Sequence, residues 1–417
     1  MGAGRHAGPP LGRGRRGRSG RRGVPAPASG RGQRPGGCGM RDGTRASARR
    51  AIRLALAAAV GMPTAQAGEP APPPPPVRGL HLFAPAKQDL PAALAFFRET
   101  LPREGVNTLV LEINFGFHFT SRPEFADPSA LDAADVRRIV GACREAGVTL
   151  IPQVNCLGHQ SWAESTGTFL RRHPEFDETP QKTYRKGAKA DDPAFFGYCR
   201  SYCPLHPEIH TVLFPLLTEL ATAFEAKHFH IGMDEVFILA DPGCPRCRGK
   251  DPAGLFAGEV KALHGHLKSI GCRTWMWGDR LIDGTATGIG AWEASTNGTH
   301  SAIDAIPPDV VICDWHYEKA HETPRFFAEK GFDVVACPWR KPEVALGQLA
   351  LIRALRGGKD PAVAARALGV LHTTWVGFAP FLKEVRALEA GGAPGKGAAP
   401  ETARCFRELF RAMREGR

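Results

Sequence analysis

"HFHIGMDE" (228–235) is a short apolar run that ends in two adjacent carboxylates, Asp234 and Glu235. Its first residues alternate as a strand does, with His230, Gly232 and Asp234 on one face, so it reads as a buried strand with a polar C-terminal end. Seven other runs share this character: "VRGLHLF" (77–83), "TLVLEIN" (108–114), "TLIPQVN" (149–155), "TWMWGD" (274–279), "VVICDWHY" (310–317), "DVVACPW" (333–339) and "LGVLHTTW" (368–375). Segments of helical spacing lie between them, among them 132–147 with a stripe at Val136, Ile139, Val140 and Cys143, then 207–224 and 256–271. Strand and helix alternating eight times predict an α/β fold, a (β/α)8 TIM barrel over residues 77–390. A doubly wound open sheet uses the same alternation; the count of eight and the polar strand ends decide for the barrel.

Charge divides the chain before any motif does. Of its 54 Lys and Arg, 14 lie in residues 1–67 beside a single acid, Asp42, which leaves 40 basic against 41 acidic residues in the remainder. A near-neutral folded part gives no net basic charge that would favour nucleic acid. Residues 1–39 are Gly, Arg and Pro without apolar periodicity and are expected to be disordered; an unused upstream start, with Met40 as the true one, explains them most simply. Residues 40–67 read as a signal peptide: a basic stretch containing Arg49-Arg50, the run "LALAAAVGM", and an A-x-A site at Ala65 and Ala67. That apolar run is too short for a stable membrane span, so the expectation is an exported protein, periplasmic or extracellular. Residues 68–76 form a stiff Pro-rich spacer. After the barrel, "GGAPGKGAAP" (391–400) reads as a linker, and residues 401–417 as an amphipathic helix with Phe406, Leu409, Phe410 and Met413 on one side, docked back on the barrel.

In a barrel enzyme the C-terminal strand ends face substrate, and here they are loaded with Asn155 and nearby His159, Asp234 and Glu235, Trp277 and Asp279, Asp314 and Tyr317, Trp339, and Trp375. Five of the seven Trp fall in the eight runs, four of them at such ends. Aromatic faces stack on sugar C–H surfaces while carboxylates and imidazoles bind hydroxyls, so the mixture favours a carbohydrate substrate. The chain has neither a Gly-rich phosphate loop nor an H-E-x-x-H zinc motif, and the chemistry calls for no cofactor. The long segment 156–227 follows the third strand and is expected to lie over the mouth. Paired carboxylates suit glycoside hydrolysis, but adjacent ones are too close for the ordinary inverting or retaining roles. One must serve the leaving group and the other a group on the substrate.

"HIGMDE" resembles the H-x-G-x-D-E signature of family 20 glycoside hydrolases, the β-N-acetylhexosaminidases, which are among the substrate-assisted exceptions to the two-carboxylate scheme. The resemblance implies that the substrate's 2-acetamido oxygen is the nucleophile, that Asp234 orients the acetamido group, and that Glu235 is general acid and then base. It also implies removal of terminal β-linked N-acetylhexosamine with retention. By the same resemblance Arg78 matches a first-strand Arg that binds sugar hydroxyls. His159 in "LIPQVNCLGHQSW" matches the His of P-E-x-D-x-P-G-H, Trp277 a Trp of the fifth strand, Tyr317 the Tyr that bonds the acetamide, and Trp375 the Trp beneath the sugar. Three departures stand out: "NFGFHF" replaces a D-D-Q-x-W-type segment, Gln153 and Asn155 replace the third-strand acids, and Gly377 stands where W-x-E places a Glu. They point to altered recognition of the terminal sugar.

Other constellations compete. Cys199, Cys203, Cys244 and Cys247 fall on the loops after strands three and four, where they could hold a structural zinc, form disulfides or remain free thiols. Cys143, Cys272, Cys313 and Cys337 read as core. His228 and His230 with Asp234 resemble an amidohydrolase metal set, but that set belongs on a first strand. His264 and His266 read as a solvated helix face, and Glu112 either as an alternative acid or as a buried, hydrogen-bonded strand residue.

Overall fold

The computed structural model describes residues 77–125, 129–182, 184–186, 197–393 and 395–416. The expected leader, signal peptide and Pro-rich spacer lie outside the described residues. Eight parallel strands form a closed barrel: β1 (Val77–Phe83), β2 (Thr108–Glu112), β3 (Thr149–Cys156), β4 (His228–Gly232), β5 (Arg273–Trp277), β6 (Val311–Trp315), β7 (Asp333–Cys337) and β8 (Ala367–His372). Each pairs with its neighbours in sequence, and β8 closes on β1 through the register Val77 with Gly369 to Leu80 with His372. Closure excludes the open doubly wound sheet.

The strands read as nearly continuous apolar runs because both faces are buried. Outward residues such as Leu80, Leu82, Phe229, Ile231, Met276 and Ile312 pack under the helices. Inward ones, among them Val110, Ile151, Trp275, Trp277, Val311, Trp315 and Val335, fill the lumen. The helix Ala133–Glu145 begins where Asp132 and Asp135 form a reciprocal capping box. Pro252–Ser269 begins at an Asp251 cap with Pro at its first position. The solvated face expected for His264 and His266 is corrected. His264 is buried, with Nε2 2.9 Å from Asp309, and His266 stacks on Phe214 at 4.2 Å while its Nε2 meets Thr218 Oγ1 at 2.9 Å. Phe214 and Thr218 of the preceding helix, Ile209–Ala223, and Asp309 of the loop before β6 cover this face.

The C-terminal helix, Ala398–Arg414, starts earlier than expected and buries Phe406, Leu409 and Phe410 completely. Among the described residues no helix is long and apolar enough to cross a membrane.

Candidate active site

The strand β4 stops at Gly232, and the chain then turns sharply: φ is +70° at Gly232, +73° at Met233 and +51° at Glu235. Left-handed backbone at non-Gly residues costs about 1–3 kcal/mol each and persists where packing over-determines it. A Cβ at Gly232 would stand 2.8 Å from both Cα and Oδ1 of Asn155, so only glycine lets β4 lie this close to β3. The turn brings Glu235 to the same side as Asp234 despite their adjacency. Leu157 (φ +61°) and His159 (φ +55°), beyond the end of β3, are also left-handed.

His159 joins the two carboxylates. Its Nε2 lies 3.0 Å from Asp234 Oδ2 and 3.2 Å from Glu235 Oε2. Burial pulls the imidazole pKa down, but the charges and hydrogen bonds of Asp234 and Cys199 together outweigh it and hold His159 well above its ordinary value. Burial pushes Asp234 up to about 6, against the opposing pull of His159, with Asp279 and Glu235 adding to the rise. Asp234 Oδ1 is buried and has no hydrogen-bond partner among the described residues. Tyr198 donates its hydroxyl to Glu235 Oε2, and the main-chain N–H of Glu235 donates to Asp279 Oδ2 at 3.0 Å. Burial, and then the Glu235 charge, raise the Tyr198 phenol well above its usual range. Aromatic rings wall the pair: Trp162 stacks on His159 at 6.0 Å and meets Tyr198 edge-on at 5.2 Å, while Trp292 stacks on Tyr198 at 5.9 Å.

A second network lies at the ends of β2 and β3. Glu112 is buried, and its Oε1 accepts from Asn114 (2.8 Å) and Asn155 (3.0 Å). Its Oε2 accepts from Gln153 Nε2 at 3.0 Å and lies 3.2 Å from His81 Nε2. Burial acts to raise the Glu112 pKa, but His81 and the amide donors outweigh it and hold the group below its ordinary value. The amides at 153 and 155, which replace the expected acids, follow from this geometry. Two further carboxylates would repel Glu112, whereas amides donate to it. Of the two readings of Glu112, the buried and hydrogen-bonded one fits.

Several expected site residues lie elsewhere. Arg78 is at the N-terminal end of β1 on the outward face, and its Nε donates to Gly105 O at 2.7 Å, so it is remote from the mouth; strand alternation sets this direction. Asp279 lies behind the pair, bonded to Glu235 N–H and to Arg280 Nε (2.7 Å), a support rather than a face toward substrate. Asp314 also points outward, accepting from Thr323 Oγ1 at 2.7 Å and lying 3.2 Å from His316 Nε2. His316, between Asp314 and Glu293, is lifted to about 10, burial being overcome by those two carboxylates. Trp277 is fully buried in the lumen against His230 (4.5 Å), and Trp275 and Trp315 are buried with it. The stacking role expected of the strand-end Trp therefore narrows to Trp339 and Trp375, which are half-buried.

Trp375 donates its indole N–H to Tyr317 Oη, so these two are brought together. Trp339 packs on Tyr317 at 5.4 Å but commits its N–H to Thr402 Oγ1 (2.9 Å) on the C-terminal helix. His228 accepts from Trp275 Nε1 at 3.1 Å and His230 from Gly232 N–H at 3.1 Å, so neither turns toward Asp234 as a metal set would. The four-cysteine group divides: Cys203, Cys244 and Cys247 converge, while Cys199 accepts the His159 N–H at 3.2 Å beside the carboxylates. Tyr198, Trp162 and Trp292 were not anticipated individually, although the first two lie in the 156–227 segment that the barrel topology sets over the mouth.

The profile described as "Glycosyl hydrolase family 20, catalytic domain" matches residues 121–342. A beta-hexosaminidase of Vibrio furnissii is 27% identical over 206 residues, 49% of this chain but only 29% of that protein, so the chain spans less than a third of this relative. Among solved structures, a chitobiase of Flavobacterium johnsoniae superposes with a TM-score of 0.56 at 16% identity, covering 82% of this chain and 51% of the other. A family 20 β-N-acetylhexosaminidase of Streptomyces coelicolor gives 0.51 at 15%, covering 81% and 64%. These similarities support the barrel, and the profile runs over more than half the chain and through the Asp234-Glu235 turn: the chain belongs to glycosyl hydrolase family 20.

Proposed function

We propose that the protein hydrolyses terminal β-linked N-acetylhexosamine with retention, using the substrate's own acetamide as nucleophile. The observation that carries this reading is the orphaned Oδ1 of Asp234, buried beside Glu235. A buried carboxylate oxygen without a donor is costly, and an acetamide N–H would satisfy it. The acetamide carbonyl oxygen then attacks C1, and the C1–O bond to the leaving group breaks as Glu235 delivers its proton to the departing oxygen. Tyr198 and His159 both engage Oε2 of Glu235, so Oε1 is assigned to carry that proton. Water, deprotonated by Glu235, next attacks C1 and opens the oxazolinium ring. The neutral amides of Asn114 and Asn155, supported by Glu112, are the proposed contacts to sugar hydroxyls. The working compartment is proposed to be outside the cytoplasm, on the strength of the leader.

The test is release of an aryl group from aryl N-acetyl-β-glucosaminide and galactosaminide. Glu235→Gln is expected to lower kcat by roughly 10²–10⁴-fold, the ordinary contribution of a general acid and base, and a thiazoline mimic of the oxazolinium ion should inhibit competitively. Turnover of an aryl β-glucoside lacking the acetamide at an equal rate would overturn the mechanism; no turnover of any aryl glycoside would favour a barrel that binds carbohydrate without cleaving it.

A further inference from the structure

The loops that follow β3 and β4 meet a second time, away from the carboxylates. Cys203 Sγ lies 3.2 Å from Cys247 Sγ and 3.6 Å from Cys244 Sγ. All three sulfurs lie within 4.8 Å of one another, and the residues are at most 1% exposed. Thiolates bound at about 2.3 Å to one tetrahedral zinc stand roughly 3.8 Å apart, close to this spacing. The main-chain N–H of Cys247 donates to Cys244 Sγ at 3.4 Å, which orients that sulfur from within the C-P-R-C turn. Arg246, between the two cysteines in sequence, brings a positive charge beside the group.

A buried carboxylate stands next to these thiols. Cys203 N–H donates to Phe176 O (2.7 Å) and Glu178 N–H to Ser201 O (3.2 Å), so the strap 176–178 runs antiparallel beside Cys203. Glu178 Oε1 accepts the N–H of Asp241 (3.0 Å), whose carbonyl in turn accepts the N–H of Cys244 (3.0 Å). Glu178 is therefore tied by its backbone to one cysteine strand and by its side chain to the other. It is 1% exposed, and its Oε2 has no hydrogen-bond partner among the described residues. Such an oxygen is costly unless it takes up a proton or faces a cation or a donor.

We propose that Cys203, Cys244 and Cys247, as thiolates, hold one structural ion of the zinc class, with the buried Glu178 carboxylate completing the tetrahedron through one water. Thiolate softness selects zinc over magnesium or calcium, and the thiol protons leave to solvent on binding. The ion staples the two loops that carry Tyr198 and the Asp234-Glu235 turn. It holds the phenol against its carboxylate without touching the substrate, and the site stands whether or not the hydrolysis proposed above is correct.

The experiment is metal analysis of the full chain purified without chelator, followed by cobalt(II) exchange. About one equivalent of zinc per chain is expected, released in step with mercurial modification of three thiols, and the cobalt form should show tetrahedral visible bands with thiolate charge transfer. Glu178→Gln is expected to keep those thiolate bands while weakening the ion at least tenfold and changing the visible spectrum. Failure of the unsubstituted chain to retain zinc after loading and dialysis would overturn the site. So would a denatured mass lower by two hydrogens, with Cys203 and Cys247 linked in one peptide. Unchanged affinity in Glu178→Gln would overturn the fourth ligand. Because the wild-type chain is read directly, a cysteine variant that fails to fold does not blunt the test.

Discussion

Asp234 is a carboxylate caught between two opposing influences, and their balance is measurable. Burial pushes its pKa up to about 6, while His159 pulls it back. The ionised carboxylate accepts an acetamide N–H far more strongly than the neutral acid and stabilises the positive charge of the oxazolinium ring, so kcat/KM toward the aryl N-acetylglucosaminide is expected to fall on the acid side with a midpoint near pH 6. Replacing His159 by Asn removes the opposing charge, so that midpoint should move toward neutral pH; a pH–rate profile in which it stays or moves lower would sink this account. At this scale the sequence was informative about Asp234, Glu235 and His159, because short motifs carry them. Tyr198 was not legible: it reaches Glu235 across 37 residues of chain, and no spacing rule reports such a contact. Arg78 and Asp314 misled for a simpler reason, since polarity near a strand does not reveal which face the side chain takes.

All eight strands were legible as elements, because apolar runs bounded by turn residues are what a doubly covered parallel sheet requires. Their ends were not. The run 228–235 suggested a strand through Glu235, but pairing stops at Gly232, where the backbone enters left-handed space. Close approach of the neighbouring segment produces this turn: a Cβ at Gly158 would fall inside the contact distance of the Asp234 carbonyl oxygen and 3.2 Å from Val236 Cγ2. Gly158→Ala is therefore expected to cost about 1–3 kcal/mol, the usual penalty of overpacking, and to lower kcat by displacing Asp234. Gly258 is the contrasting case, inside the helix Pro252–Ser269 with nothing within 4 Å of an added Cβ. There the same substitution should stabilise by about 0.5–1 kcal/mol. Thermal denaturation of both variants, with kinetics on each, checks the pair of signs.

For the whole molecule the C-terminal helix is part of the barrel wall. Phe406, Leu409 and Phe410 are fully buried, Thr402 accepts the indole N–H of Trp339, and Cys405 donates to the Trp339 carbonyl at 2.7 Å. Exposing three such side chains forfeits about 1.5–3 kcal/mol each, comparable with the roughly 5–15 kcal/mol that holds a domain folded. Truncation after Lys396 should yield protein that aggregates or melts far below the full chain; a melting curve within a few degrees of it would show the helix to be dispensable. Amphipathic spacing made this helix legible, whereas its docking site against the helices Pro342–Arg356 and Phe378–Glu389 depends on the closed barrel and could not be read from the spacing.

The turn at Gly105 collects both boundaries of the barrel. Arg78, in the first strand, donates to the Gly105 carbonyl, and Arg414, at the close of the last helix, donates to the Glu104 carbonyl at 2.9 Å. Entry and exit of the folded unit thus sit side by side on the face opposite the catalytic turn. Such a unit can be spliced into a surface loop of another protein, or have its ends rejoined and a new opening cut elsewhere, without drawing host segments apart or crowding the mouth.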